Sequence, residues 1–235
     1  MLFRRKVPHI LELPTGDFPL EVARHPRAKH ITLRLNRRGD GVRLVLPPRA
    51  SLREGLRFAR SKAGWIEARL GELPPTIPFV DGVILPILGQ DHVVRHLASG
   101  RRGVWREAGA IQVSGRAEHL PRRVADFLKT EARGAIAPRA RAKAAVLGRT
   151  PGRITLRDTK SRWGSCSPDG NLNFSWRLIL APEAVLDYVV AHEVAHLIEL
   201  NHGPRFWKLT ARLTPEVKGP RSWLRHNGER LLRYG

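Results

Sequence analysis

Tyr188-Val-Val-Ala-His192-Glu193-Val-Ala-His196-Leu-Ile198 sets two histidines and a glutamate in an otherwise apolar run. Helical spacing accounts for it: Val185, Leu186, Val189, Val190, Ala195, Leu197 and Leu200 spread round most of a helix's circumference, which implies burial on more than one side. Pro182 and Glu183 suit a first turn, where proline is tolerated and an acid favoured. Side chains four apart share a helix face, so His192 and His196 can converge on one ion. Glu193 lies about 100° round from His192, in reach of a water on that ion without ligating it. Left unpaired on a buried helix, these groups would cost several kcal/mol. A chance H-E-x-x-H would more often stand on a solvated helix.

Two histidines need a third protein ligand if one coordination position is to stay open. His202 follows His196 after five intervening residues, the spacing of the longer H-E-x-x-H-x-x-G-x-x-H pattern. Glu199 occupies the glycine position of that pattern. The turn is therefore expected at Asn201 as a left-handed cap, with Gly203-Pro204 behind it and the helix ending near Leu200. Glu199 is too far along the axis from His192 to be the third ligand, and Glu216 is a rival that could return from downstream. His226 reads as a surface histidine. The expected site is thus one zinc ion on His192, His196 and His202. Zinc lowers the pKa of bound water towards about 7, and Glu193 is placed to take its proton.

Upstream, Ile31–Leu35 and Gly41–Leu46 alternate as strands, joined by the glycine-containing turn 36–41. Ser51 with Glu54 three residues on forms a capping box that opens a helix to about Leu70, with Leu52, Leu56, Ala59, Ala63 and Ile66 on one stripe. Short strands are expected around 83–88, 92–97 and 110–113. A boundary falls near residue 118. Beyond it, 119–147 reads as a long basic helix that Pro138 breaks or kinks. Residues 154–158 and 171–176 read as a hairpin, with a loop containing Trp163 and Cys166 between its strands. No internal repeat is visible.

Composition bounds the rest. The 235 residues carry 42 Lys plus Arg against 21 acids, a formal charge of +21 with a sequence pI near 11.6. The excess is spread along the chain and is arginine-dominated, which admits nucleic acid or a nucleotide as a partner and equally suits GC-rich coding. One cysteine excludes an internal disulfide framework and, with no apolar leader or membrane-length run, points to the cytoplasm and away from a membrane.

The stretches Trp163-Gly-Ser-Cys-Ser167, Asn171-Leu-Asn-Phe174, Leu178-Ile-Leu-Ala-Pro182, Tyr188 to His196 and Asn201-His-Gly-Pro-Arg-Phe-Trp207 resemble the YgjP-like metallopeptidase family, a zincin-like group related to the SprT-like proteases. Arg27–Arg34, Pro47–Ser51, Lys62–Ile66 and Phe79–Gly82 fall in the expected order too. The resemblance implies an α+β fold. A small β-rich N-terminal region with one helix, residues 1–118, would precede a zincin-like domain over 119–235, the metal held on a buried helix. It implies zinc ligands at His192, His196 and His202, a catalytic Glu193, and hydrolysis of peptide or protein substrates. Activities attached to the family also include a UTP-type nucleotide pyrophosphatase, and the SprT-like relation suggests a DNA-associated protease. The cleft is expected beside the 154–176 hairpin. Trp163 and Cys166 either line it or simply pack. Arg205 is a candidate for stabilising an oxyanion or a phosphate, or else a plain surface arginine.

Overall fold

A computed structural model describes residues 9–14, 16–35, 41–100, 103–159 and 162–235. The turn over 36–40 and Ser161 at the start of the expected cleft loop lie outside these. The chain forms two compact units, Met1–Pro75 and Thr76–Gly235.

In the first unit, strands β1 (His9–Leu13), β2 (Gly16–Arg24), β3 (Thr32–Leu35) and β4 (Val42–Leu46) form a sheet in the order β1-β2-β4-β3. β1 with β2 and β3 with β4 are antiparallel, while β2 and β4 run parallel. Alternation decides which face is covered: Val42, Leu44 and Leu46 are buried while Arg43 between them is exposed. Helices α1 (Leu52–Ser61) and α2 (Ala63–Gly71) follow. The single expected helix is broken at Lys62, whose φ of −103° and ψ of 14° leave helical geometry. Gly55 lets α1 lie against β4, because a Cβ there would come within 2.5 Å of Leu46 Cδ2.

The capping box is present: the Glu54 amide donates to Ser51 Oγ at 3.2 Å, and the Ser51 amide donates to Glu54 Oε2 at 2.7 Å. The Ser51 amide and the Ser51 hydroxyl, both donating to Glu54 Oε2, hold the Glu54 carboxyl below the usual range, with Arg57 adding to the effect. Ser51→Ala is expected to destabilise this unit by about 1 kcal/mol, read as a lower midpoint in urea unfolding with an unchanged slope.

The second unit begins with a sheet of the same plan. β5 (Ile84–Ile87), β6 (Gln90–Leu97), β7 (Val104–Glu107) and β8 (Ala110–Ser114) are ordered β5-β6-β8-β7, again antiparallel, parallel, antiparallel. The strand plan is thus repeated although no sequence repeat is visible. Two-residue turns close both hairpins: Leu88 and Gly89 (φ 51° and 84°), and Ala108 and Gly109 (φ 48° and 73°). Positive φ at both central positions matches the right-handed twist of the strands.

The structure moves the expected boundary. Leu85, Ile87, Val94, Ile111 and Val113 belong to the same buried cluster as the metal-motif helix, so the division falls after Pro75 rather than near 118. Helix α3 (Leu120–Val146) runs through Pro138 without a break. The proline withholds one N–H, and next to that gap the Arg139 guanidinium donates to the Ala135 carbonyl at 2.9 Å. Leu120, Val124, Leu128, Ala132, Ile136, Ala140 and Ala144 form its buried stripe, with alanines at three of seven positions permitting close approach of its neighbours.

Strands β9 (Ile154–Arg157), β10 (Gly164–Cys166) and β11 (Leu172–Ser175) follow. The expected hairpin between β9 and β11 is not formed. These two run parallel, and the intervening segment supplies β10, which pairs antiparallel with β11 and stands at the sheet edge. A strand this short, inside the connection 158–171, escapes a periodicity argument, since Gly-Ser-Cys has no apolar alternation. A 3-10 turn over Trp176–Leu180 leads to α4 (Glu183–Ala195), then α5 (Pro204–Leu213) and α6 (Lys218–Leu231). The result is a mixed α+β fold with a β-rich N-terminal region. Among the described residues no helix is long and apolar enough to cross a membrane.

Candidate metal centre

Helix α4 carries the motif. Its buried residues lie on every side, from Val185 and Leu186 to Val194 and Ala195. It ends at Ala195, about a turn before the expected Leu200, with His196 as its C-cap. The Ile198 and Glu199 amides both donate to the Ala195 carbonyl, closing the end in a tighter turn. Asn201 is not left-handed. The chain reverses instead through a three-residue turn in which the Gly203 amide donates to the Asn201 carbonyl at 2.8 Å. Pro204 then opens α5 at a position where its missing N–H costs no helix bond.

This path brings His202 back to the helix. One nitrogen from each of His192, His196 and His202 lies within 4.8 Å of the others, and among the described residues this is the one His, Cys, Asp and Glu trio so arranged. His192 Nε2 and His202 Nε2 are 3.0 Å apart. Tetrahedral zinc with Zn–N of about 2.0–2.1 Å separates its ligand nitrogens by roughly 3.3 Å, close to this spacing. His196 Nδ1 donates to the Glu199 carbonyl at 2.9 Å, which fixes the ring and turns the lone pair of Nε2 to the trio. Glu199 therefore contributes its backbone, not its carboxylate.

Phe206 on α5 is fully buried beneath the three rings, its centroid 4.8, 4.5 and 4.6 Å from those of His192, His196 and His202. Burial pushes the His192 imidazole down to about 4, helped by His196, His202 and Arg221; burial also lowers His196. Both rings are accordingly neutral at pH 7, the form that ligates a metal. Three convergent imidazole nitrogens, two of them on rings kept neutral by burial, fit one zinc ion.

Glu193 lies beside the trio and is 6% exposed. Burial pushes its carboxyl up to about 7, opposed by the Arg162 guanidinium, so it can accept and release a proton near neutrality. The edge strand β10 lies directly against it. A Cβ on Gly164 would come 2.5 Å from both Glu193 Cγ and Oε1, so only glycine leaves the carboxylate where it is. Gly164→Ala is expected to displace that carboxylate and lower kcat/KM by about 10²-fold with zinc content retained, checked by kinetics alongside metal analysis.

The cleft in front of Glu193 has a volume of about 260 Å³, with Arg162, Trp163, Tyr188, Arg221 and Leu224 among its walls. Of the two readings open for Trp163, the structure shows both: it lines the cleft and packs against the core, seated against α6 where Gly228 leaves room, since a Cβ there would meet its Cζ2 at 3.2 Å. Cys166 packs against the core instead, its thiol raised by burial and by Glu193 and donating to the Ser167 carbonyl. Arg205 is exposed on α5 and takes no part in lining the cleft. Glu216 does not join the trio; its carboxylate accepts from the Gly219 amide at 3.1 Å at the start of α6. His226 is exposed on α6, as the sequence suggests. The sequence offers the loop Ser161–Pro168 as one side of the cleft without singling out Arg162 or Gly164, and it does not place Tyr188 or Arg221 there. Only Tyr188 carried a signal, one turn before His192 on the same face.

Comparisons with curated proteins and with solved structures give no match. A comparison with family models matches the YgjP-like metallopeptidase domain over residues 29–227. The match covers most of the chain and includes the histidine trio and Glu193, so this protein belongs to the YgjP-like metallopeptidase family, a family of metal-dependent hydrolases.

Proposed function

We propose that the chain is a zinc-dependent peptidase, with His192, His196 and His202 holding one zinc ion and Glu193 acting as general base. The observation that carries this reading is the convergence of three imidazoles, two of them held neutral by burial, beside a buried carboxylate whose proton affinity sits near neutrality. When bound, zinc supplies a Lewis acid that polarises the scissile carbonyl and makes water nucleophilic at neutral pH. Glu193 takes the proton of the attacking water and returns it to the leaving amine as the C–N bond breaks. Gly164 keeps the carboxylate in place, and Phe206 holds the three rings from below. The substrate is a peptide or unstructured protein chain entering along the edge of β10.

Purified protein loaded with one equivalent of zinc should cleave casein. Activity should vanish on treatment with a chelator and return with added zinc. Pyrophosphate release from nucleoside triphosphates in place of peptide cleavage would overturn the peptidase reading and favour nucleotide hydrolysis at the same metal. Cleavage that requires added DNA would instead mark a DNA-associated protease.

A further inference from the structure

The walls of the Glu193 cleft carry an asymmetry of charge that peptide hydrolysis as such does not need. Arg162 enters just before β10, and Arg221 from the first turn of α6, so two unrelated elements each direct a guanidinium to the same cavity of about 260 Å³. Glu193 is the one acid among its lining residues. Neither arginine makes an ion pair with a carboxylate among the described residues, unlike Arg177 with Asp158 or Lys143 with Asp187. Arg221 is held over the Trp207 ring, its guanidinium carbon 5.1 Å from the ring centroid. Trp163, Val189 and Leu224 supply apolar lining to the same cleft. A guanidinium donates in a planar fork that matches a carboxylate with two parallel bonds.

Resting on the peptidase reading above, we infer that Arg162 and Arg221 form a carboxylate subsite beside the scissile bond and select peptides bearing a negative charge there. The carboxylate has two sources, an acidic side chain within the substrate or the free C-terminus of the chain being cleaved. A substrate lacking it offers neither guanidinium fork a matching carboxylate in the occupied cleft, while a lysine there is repelled.

The test uses the zinc-loaded full-length protein and quenched peptides blocked at both ends, with Glu, Gln or Lys placed in turn at each position around the cleaved bond. A Gln peptide with a free C-terminal carboxylate separates the two sources. At one position, or at the free C-terminus, the carboxylate peptide should exceed its Gln counterpart by at least about tenfold in kcat/KM, with the Lys peptide lowest. That ratio, read within each variant, should collapse in Arg162→Gln and Arg221→Gln, persist in part in Arg221→Lys, and tilt towards Lys in Arg221→Glu. The Glu193→Gln protein, which binds without turnover, should hold the carboxylate peptide about tenfold more weakly once Arg221→Gln is added, measured by fluorescence anisotropy. Equal cleavage of all the peptides would overturn this inference and leave the peptidase reading standing, as would a preference that survives both arginine substitutions. Failure to cleave any peptide, with pyrophosphate released from nucleoside triphosphates instead, would overturn both.

Discussion

Glu193→Gln should retain stoichiometric zinc and a native fold while kcat falls by about 10²–10⁴-fold, the usual contribution of a placed general acid–base group. The substitution nearly preserves shape, so the side chain still fits against Gly164, where space is tightest. It removes the one property the reading depends on, a group that binds and releases a proton near neutrality. The amide is easier to bury than the carboxylate it replaces, because burial is what raises the Glu193 carboxyl in the first place. Thermal stability should therefore hold or rise, and loss of activity cannot be assigned to unfolding. KM should change far less than kcat, since proton transfer belongs to the transition state and not to substrate binding. Activity within a few-fold of the native protein would remove Glu193 from the chemistry.

What the sequence made legible was the part of the fold with strong periodicity and the part of the site with fixed helical spacing. α3 was readable over nearly its whole length because its buried residues recur every fourth position from Leu120 to Ala144. His192, Glu193 and His196 were readable because a helix converts spacing directly into direction. β1 and β2 were missed: in β1 the exposed Ile10 stands beside the buried Leu11 and blurs the alternation, and β2 contains Pro19, which argues against a strand until Leu20 is seen buried and paired between its neighbours. Lys62 breaks the helix over 52–71 although lysine is itself a helix former, and Gly64 two residues on stays within helix α2. The parallel pairing of β9 and β11 was hidden because a hairpin is the default for adjacent strands, and β10 carries no pattern of its own. Arg162, Gly164 and Arg221 reach the cleft through tertiary placement alone. One exposed arginine of 34, or one glycine of 21, carries no sequence mark that says which wall it will line.

His202→Ala should lower zinc affinity well beyond the roughly ten- to hundredfold that loss of an outer-shell partner costs, and should abolish hydrolysis. This is the most informative of the three ligands to remove. His192 and His196 stand on a buried helix, where truncation also leaves a void beside Phe206. His202 is exposed and sits on a connecting turn, so its loss should barely alter the fold. Its role also rests on a chain reversal that neither the helix end at Ala195 nor the non-left-handed Asn201 would lead one to expect. Glu216→Ala is the matched control. That carboxylate caps the start of α6 through the Gly219 amide, so its loss should cost a little stability and leave metal content unchanged. Metal analysis after gel filtration, with competitive chelator titration, reads both variants. Stoichiometric zinc of unchanged affinity in His202→Ala would overturn the three-histidine ligand set, and zinc loss in Glu216→Ala would make Glu216 the third ligand. With His202 gone, two imidazoles on one helix face cannot close a site of three protein ligands, so the remaining metal would be held loosely and Glu193 would have no activated water to deprotonate.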